Sequence, residues 1–112
     1  MDDREYQHLA DDVMKKIETM FEDVDADDLD LERAGDVITM TARDGKKCVV
    51  NTQRPTRQIW VAANARAWHF SFDGDAHRWK SDKNADEELF ETVATIAKTI
   101  AGVDAKNPFE KR

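Results

Sequence analysis

Cysteine, histidine and glycine are scarce in this 112-residue chain, which holds one, three and four of them. A single cysteine, Cys48, excludes an internal disulfide framework and any zinc site built from several cysteines. No glycine-rich phosphate loop, nucleophile elbow or two-histidine metal motif occurs, so the common sequence signatures of catalysis are missing. The longest apolar runs are far too short to cross a bilayer. We therefore expect one soluble domain over residues 1–112, with a tail at 103–112.

Basic residues are almost missing from the first 32 positions, which carry 13 acidic side chains and three basic ones. The other 80 residues carry 11 acidic and 14 basic side chains, so the net charge of −7 is concentrated in one acidic pole. A cluster of acidic side chains attracts hard cations and basic protein surfaces, and it repels nucleic acid and anionic lipid. We expect no nucleic-acid partner and no membrane partner.

The first residues, MDDRE, are acidic and lead directly into helical periodicity, unlike a secretory signal or a transit peptide. This start favours a cytoplasmic protein, and the alternative is the mature form of an organellar one.

The spacing of apolar residues predicts a helix over about 3–23 and a second helix that begins near 86 and ends before Gly102. Between them, from residue 28, apolar and polar residues alternate with a period of two. Asp-Gly pairs at 44–45 and 73–74 predict hairpin turns. Strands are predicted at 28–32, 37–43, 46–51, 58–62, 67–72 and 77–79. This order predicts an α+β fold, a two-layer sandwich with both helices on one face of an antiparallel sheet and the other face free for binding.

Nine carboxylates on the first helix and the following segment form a candidate metal surface, which we call the acidic ridge: Asp11, Glu18, Glu22, Asp23, Asp25, Asp27, Asp28, Asp30 and Glu32. Lys15 and Lys16 should neutralise only its middle, leaving the part from residue 18 to 32 uncompensated. Two carboxylates about 4 Å apart repel by ~1 kcal/mol even in water, so solubility alone explains this density poorly. Oxygen ligands on an open surface predict several weak sites for Fe²⁺, Fe³⁺, Mn²⁺ or Ca²⁺.

The spacing of Asp23, Asp25 and Asp27 matches the start of a calcium-binding loop, but the match fails further on. Asp28 stands where that loop needs glycine, and Ala34 stands where it needs a bidentate glutamate.

A second candidate site lies on the free face of the predicted sheet. Because Ile59 and Val61 should face the helices, Trp60 should point the other way, as should His69 on the next strand. A solvated tryptophan near Asn51 and Gln53 is typical of a protein-binding anchor, although Trp60 could instead pack under a loop.

The chain resembles the frataxin family, specifically its bacterial CyaY branch. The resemblance covers nearly the whole sequence and is most specific in the central strands. It rests on EY at 5–6, LAD at 9–11, EDVDAD at 22–27, LDLE at 29–32, VITM at 37–40, NTQRP at 51–55, QIWVA at 58–62 and HF at 69–70. It implies weak binding of iron, Fe²⁺ or Fe³⁺, at the acidic ridge and a role in iron–sulfur cluster assembly. It also implies a cysteine desulfurase and its scaffold protein as partners, contacted by Glu18, Glu22 and Asp23 of the ridge and by the sheet face.

Two other functions remain open at this point. One is a ferroxidase or iron-storage activity at the acidic ridge; oxidation of Fe²⁺ there would make the protein an enzyme. The other is an acidic interaction module unrelated to iron. We expect a monomer, with iron-dependent oligomers left open.

Overall fold

A computed structural model describes residues 1–109; residues 110–112, the end of the predicted tail, lie outside the described residues. The described residues form eight elements in the order helix, six strands, helix. They are α1 (Asp3–Met20), β1 (Leu29–Ala34), β2 (Val37–Ala42), β3 (Lys47–Gln53), β4 (Gln58–Ala63), β5 (Arg66–Asp73), β6 (Arg78–Ser81) and α2 (Leu89–Ala101). No helix among the described residues is both long and apolar enough to traverse a membrane.

Helix α1 begins where Asp2 caps it, because the Asp2 carboxylate accepts a hydrogen bond from the Glu5 N–H at 2.8 Å. Its apolar stripe is buried along its whole length. The helix ends at Met20, three residues before the predicted end, since the Phe21 N–H bonds back to the Glu18 and Thr19 carbonyls and the chain turns. Apolar Phe21 and Val24 follow the helical spacing in sequence but reach the core from this turn.

The six strands form one antiparallel sheet in sequential order, β1 to β6, each joined to the next by a hairpin. Alternate residues of each strand point into the core, among them Ile38, Met40, Val50, Ile59, Val61, Phe70 and Trp79. Both helices cover this face, and the Tyr6 hydroxyl of α1 donates to the Gln58 carbonyl of β4 at 2.8 Å. The predicted α+β sandwich is confirmed, and within residues 1–109 no helix covers the second face of the sheet.

Helix α2 begins at Leu89 rather than near 86, and Glu88 is its N-cap. The Glu88 carboxylate accepts from the N–H groups of Phe90 at 2.8 Å and Glu91 at 2.9 Å, which places the preceding acids outside the helix. Burial raises the pKa of this carboxyl, and the two N–H bonds oppose that rise. Gly102 ends the helix in the left-handed conformation, as its position predicts.

Cys48 lies in the core on β3, where burial raises the pKa of its thiol to about 12. The thiol therefore stays protonated at neutral pH, which is typical of a structural cysteine.

Candidate functional site

The acidic ridge follows one edge of the molecule. Asp11 and Glu18 lie on α1, five of the nine carboxylates lie in the turn at 21–28, and Asp30 and Glu32 point outward from the edge strand β1. All nine are exposed except Asp11 and Asp28, which are partly buried. The Arg33 guanidinium joins the two parts, since it extends from β1 to the Glu18 carboxylate of α1 at 2.9 Å.

The expectation that the ridge from residue 18 to 32 is uncompensated is wrong. Arg33 pairs with Glu18, and Arg43 of the β2–β3 turn pairs with Asp28 at 2.8 Å. Lys106 of the tail pairs with Glu22 at 3.2 Å and with Asp23 at 2.5 Å. These bases are distant in sequence, and the hairpins and the tail return them to the acids, so helix spacing alone could not reveal them.

Helix spacing predicts two ion pairs at the proximal end of the ridge, and one of them forms. Lys16 pairs with Asp12 at 2.9 Å, four residues apart on α1. Asp11 instead accepts a hydrogen bond from the Gln7 side-chain amide at 3.0 Å.

The turn after α1 is held by hydrogen bonds among its own residues. The Asp25 carboxylate accepts from the Asp27 N–H at 2.8 Å, and the Asp25 carbonyl accepts from the N–H groups of Asp28 and Leu29. Within residues 1–109, no three histidine, cysteine, aspartate or glutamate side chains converge closely enough to hold a metal ion. The ridge is therefore a row of separate carboxylates, a donor set that suits hard cations bound loosely with their water retained.

The open sheet face brings together the four residues predicted there. The β4 and β5 register sets Trp60 opposite His69, and their rings stack with centroids 4.2 Å apart and planes 13° from parallel. Asn51 is the β3 partner of Trp60, and Gln53 is the β3 partner of Gln58. The Trp60 side chain is half-buried, with strand neighbours on both sides of it.

A polar network that sequence reasoning missed fixes the orientation of Trp60. The Trp60 indole N–H donates to the Gln58 side-chain oxygen at 2.9 Å. The Gln58 amide in turn donates to the Ser71 hydroxyl at 3.2 Å and to the Asp82 carboxylate, and Ser71 donates to Asp82 at 2.7 Å. The period-two alternation places Gln58 on this face, but the contribution of Asp82 depends on a loop that no sequence pattern predicts.

The acidic ridge and the open sheet face adjoin each other. Asp30 and Glu32 share the open sheet face with Trp60, because outward residues of all strands point the same way. Strands β1 and β4 are three strand spacings apart, roughly 14 Å. A single partner could contact both surfaces.

Comparison with known proteins relates this chain to one family. A family model described as "Frataxin-like domain" matches residues 1–103. A protein of Pseudomonas fluorescens named "Iron-sulfur cluster assembly protein CyaY" is 34% identical over 99 residues, covering 88% of each chain. A protein of the same name from Paraburkholderia phymatum is 40% identical over 103 residues, covering 91% of this chain and 93% of its own.

A solved frataxin from Psychromonas ingrahamii, described as a model for stability modulation in the CyaY family, has the same fold. The two structures superpose with a TM-score of 0.84 at 24% identity, over 95% of this chain and 97% of the other.

Proposed function

The chain belongs to the bacterial CyaY branch of the frataxin family, and on that premise we propose that it is a binding and regulatory protein of cytoplasmic iron–sulfur cluster assembly. The observation that carries the proposal is the exposed acidic ridge that runs beside an open sheet face with an ordered tryptophan. The curated relatives, named for iron–sulfur cluster assembly, share most of the chain length and support the same role.

Iron is the cargo or signal in this proposal, and the acidic ridge holds it. Carboxylate oxygens bind Fe²⁺ and Fe³⁺, and separate exposed carboxylates bind them weakly enough for release to an acceptor. Several alternative positions along the ridge suit a sensor or donor better than a permanent metal centre. Other divalent cations should compete for the same positions.

The proposed partners are a cysteine desulfurase and its scaffold protein. The ridge carboxylates, with Glu18, Glu22 and Asp23 among them, would dock on an arginine-rich surface of the desulfurase. The open face with Asn51, Gln53, Trp60 and His69 would supply an apolar and hydrogen-bonding contact beside it. Attraction between the acidic ridge and a basic surface of the partner would speed association, and the contact at the open sheet face would slow dissociation.

A ferroxidase activity finds no specific support among the described residues. Catalytic oxidation needs iron held in a fixed geometry, and residues 1–109 bring no three ligating side chains together. We therefore propose binding and not catalysis as the function of the ridge.

The test is the position of iron on the folded protein. Under anaerobic conditions, Fe²⁺ should broaden the amide NMR signals of the ridge because the ion is paramagnetic. Replacing four ridge carboxylates by amides should remove most of this broadening and leave the fold intact, since these side chains are exposed: Glu18→Gln, Glu22→Gln, Asp23→Asn and Asp25→Asn.

A matched control replaces four exposed acids elsewhere, which changes the net charge equally: Asp75→Asn, Asp86→Asn, Glu91→Gln and Asp104→Asn. The control should keep the broadening of the wild type. Broadening centred on His69 or His77, or lost equally in both variants, would contradict iron binding at the ridge.

A further inference from the structure

The C-terminal tail, residues 103–109, crosses the end of α1 and places a lysine on the acidic ridge. The Lys106 N–H donates to the carbonyl of Met20, the last residue of α1, at 3.0 Å. The Lys106 ammonium then contacts the Glu22 carboxylate at 3.2 Å and the Asp23 carboxylate at 2.5 Å. One cationic group therefore bridges two of the carboxylates that the sequence assigns to cation binding.

The tail is anchored on both sides of this lysine. Val103 and Ala105 pack against the core before it. After it, the Phe109 ring meets Phe90 of α2 edge to face at 5.6 Å, and the Arg78 guanidinium lies 3.6 Å from the centre of the Phe109 ring. Because the backbone is held at both ends, the ammonium stays close to the two carboxylates without a large loss of chain entropy.

The other described bases that pair with the ridge act differently. Arg33 and Arg43 belong to the sheet and its turn, and each contacts one ridge carboxylate. Lys106 contacts two ridge carboxylates at once, and its long flexible side chain can leave them while the anchored tail backbone stays in place.

We propose that the tail is an internal competitor of the ridge: Lys106 occupies the position between Glu22 and Asp23, and a metal cation or a basic partner side chain binds there by displacing it. This inference rests on the proposed function, in which the ridge binds cations. Displacement exchanges one cation for another on the same two carboxylates. Exposed ion pairs are weak, so the lysine lowers the affinity for cations at this position by about three- to tenfold without abolishing binding.

The experiment compares Lys106→Gln with Lys80→Gln. Lys80 of β6 pairs with Asp73 at 3.0 Å, at the opposite edge of the sheet from the ridge, so its replacement removes the same charge without changing a contact of the tail or of the ridge. The proteins are titrated with Mn²⁺, and in parallel with anaerobic Fe²⁺, while the broadening of the residue 22 and 23 amide signals is followed. Lys106→Gln should reach half-broadening at a three- to tenfold lower ion concentration than the wild type, and Lys80→Gln should match the wild type.

Lys106→Arg keeps the charge and should also match the wild type. Half-broadening at the same ion concentration for Lys106→Gln, Lys80→Gln and the wild type would overturn the internal competitor while leaving iron binding intact. A gain for Mn²⁺ in Lys106→Gln, with no binding of Fe²⁺ to any variant, would support the competitor and overturn the iron function. If neither ion broadened the ridge signals of Lys106→Gln, both proposals would be wrong.

Discussion

Replacing Trp60 by alanine tests the open sheet face as a protein contact. In the free protein the indole is already ordered, since it stacks on His69 at 4.2 Å and its N–H is bonded to Gln58 at 2.9 Å. A partner would therefore lose little entropy in ordering this side chain. Tryptophan anchors at interface centres contribute about 2 kcal/mol or more, so Trp60→Ala should weaken binding of the cysteine desulfurase about 30-fold, mainly through faster dissociation.

The change in fold stability should be small by comparison. Loss of a stacked aromatic pair costs about 0.5–1.5 kcal/mol, or a few degrees in melting temperature for a domain of this size. Trp60→Phe keeps an aromatic ring beside His69 and should lose less affinity than Trp60→Ala.

Surface plasmon resonance against the desulfurase, alone and with its scaffold protein, measures both rate constants. Thermal unfolding of the same samples shows whether the variants are folded. A folded Trp60→Ala protein that bound with unchanged affinity in both formats would remove the sheet face from the interface.

Three further results are expected from the same structure. Millimolar Mn²⁺ or Ca²⁺ at constant ionic strength should raise the melting temperature by binding the folded ridge, and an unchanged value would argue against selective binding there. Tyr6→Phe removes the hydroxyl that donates to the Gln58 carbonyl, so calorimetry should show a loss of about 1 kcal/mol, roughly 4 °C, whereas no loss would mean that this bond contributes nothing. Hydrogen bonds to Asp23 and then Glu22 raise the pKa of Lys106 above its ordinary 10.5, so the stabilisation relative to Lys106→Gln should be full below that pH and vanish as the pH rises through the raised pKa. A stability difference that persisted at the most alkaline pH would contradict this origin.

Periodicity predicted the elements well because the core and the solvent impose different side chains on alternate positions. Ile59 and Val61 are buried and Trp60 faces outward, as the alternation on β4 predicts. The β4–β5 hairpin then sets His69 opposite Trp60, so this pair could be placed without knowing any contact between residues distant in sequence.

Helix boundaries were predicted less well because capping interactions decide them. The second helix was predicted to begin near residue 86, but the Glu88 carboxylate accepts two N–H bonds as the N-cap and the helix begins at Leu89. Phe21 fits the apolar spacing of α1 and still lies beyond its end.

The largest error in the sequence-based predictions concerned the charge balance of the ridge. Sequence reasoning counted bases within one helix turn of each acid, whereas the folded chain supplies Arg33, Arg43 and Lys106 from a strand, a hairpin turn and the tail. The roles of the ridge in binding iron and the desulfurase remain predictions.

The most direct test of the central claim is the salt dependence of association between this protein and the cysteine desulfurase. If the acidic ridge docks on a basic surface, the association rate constant should be high at low salt and fall steeply as salt is added, since charges are screened over about 8 Å at physiological ionic strength. Reversing the charges of Glu22 and Asp23 to lysine should flatten that dependence, whereas the same reversal at exposed Asp75 and Asp104 should leave it much steeper. An association rate that ignored salt in the wild type, or that responded equally to both double reversals, would contradict docking through the ridge.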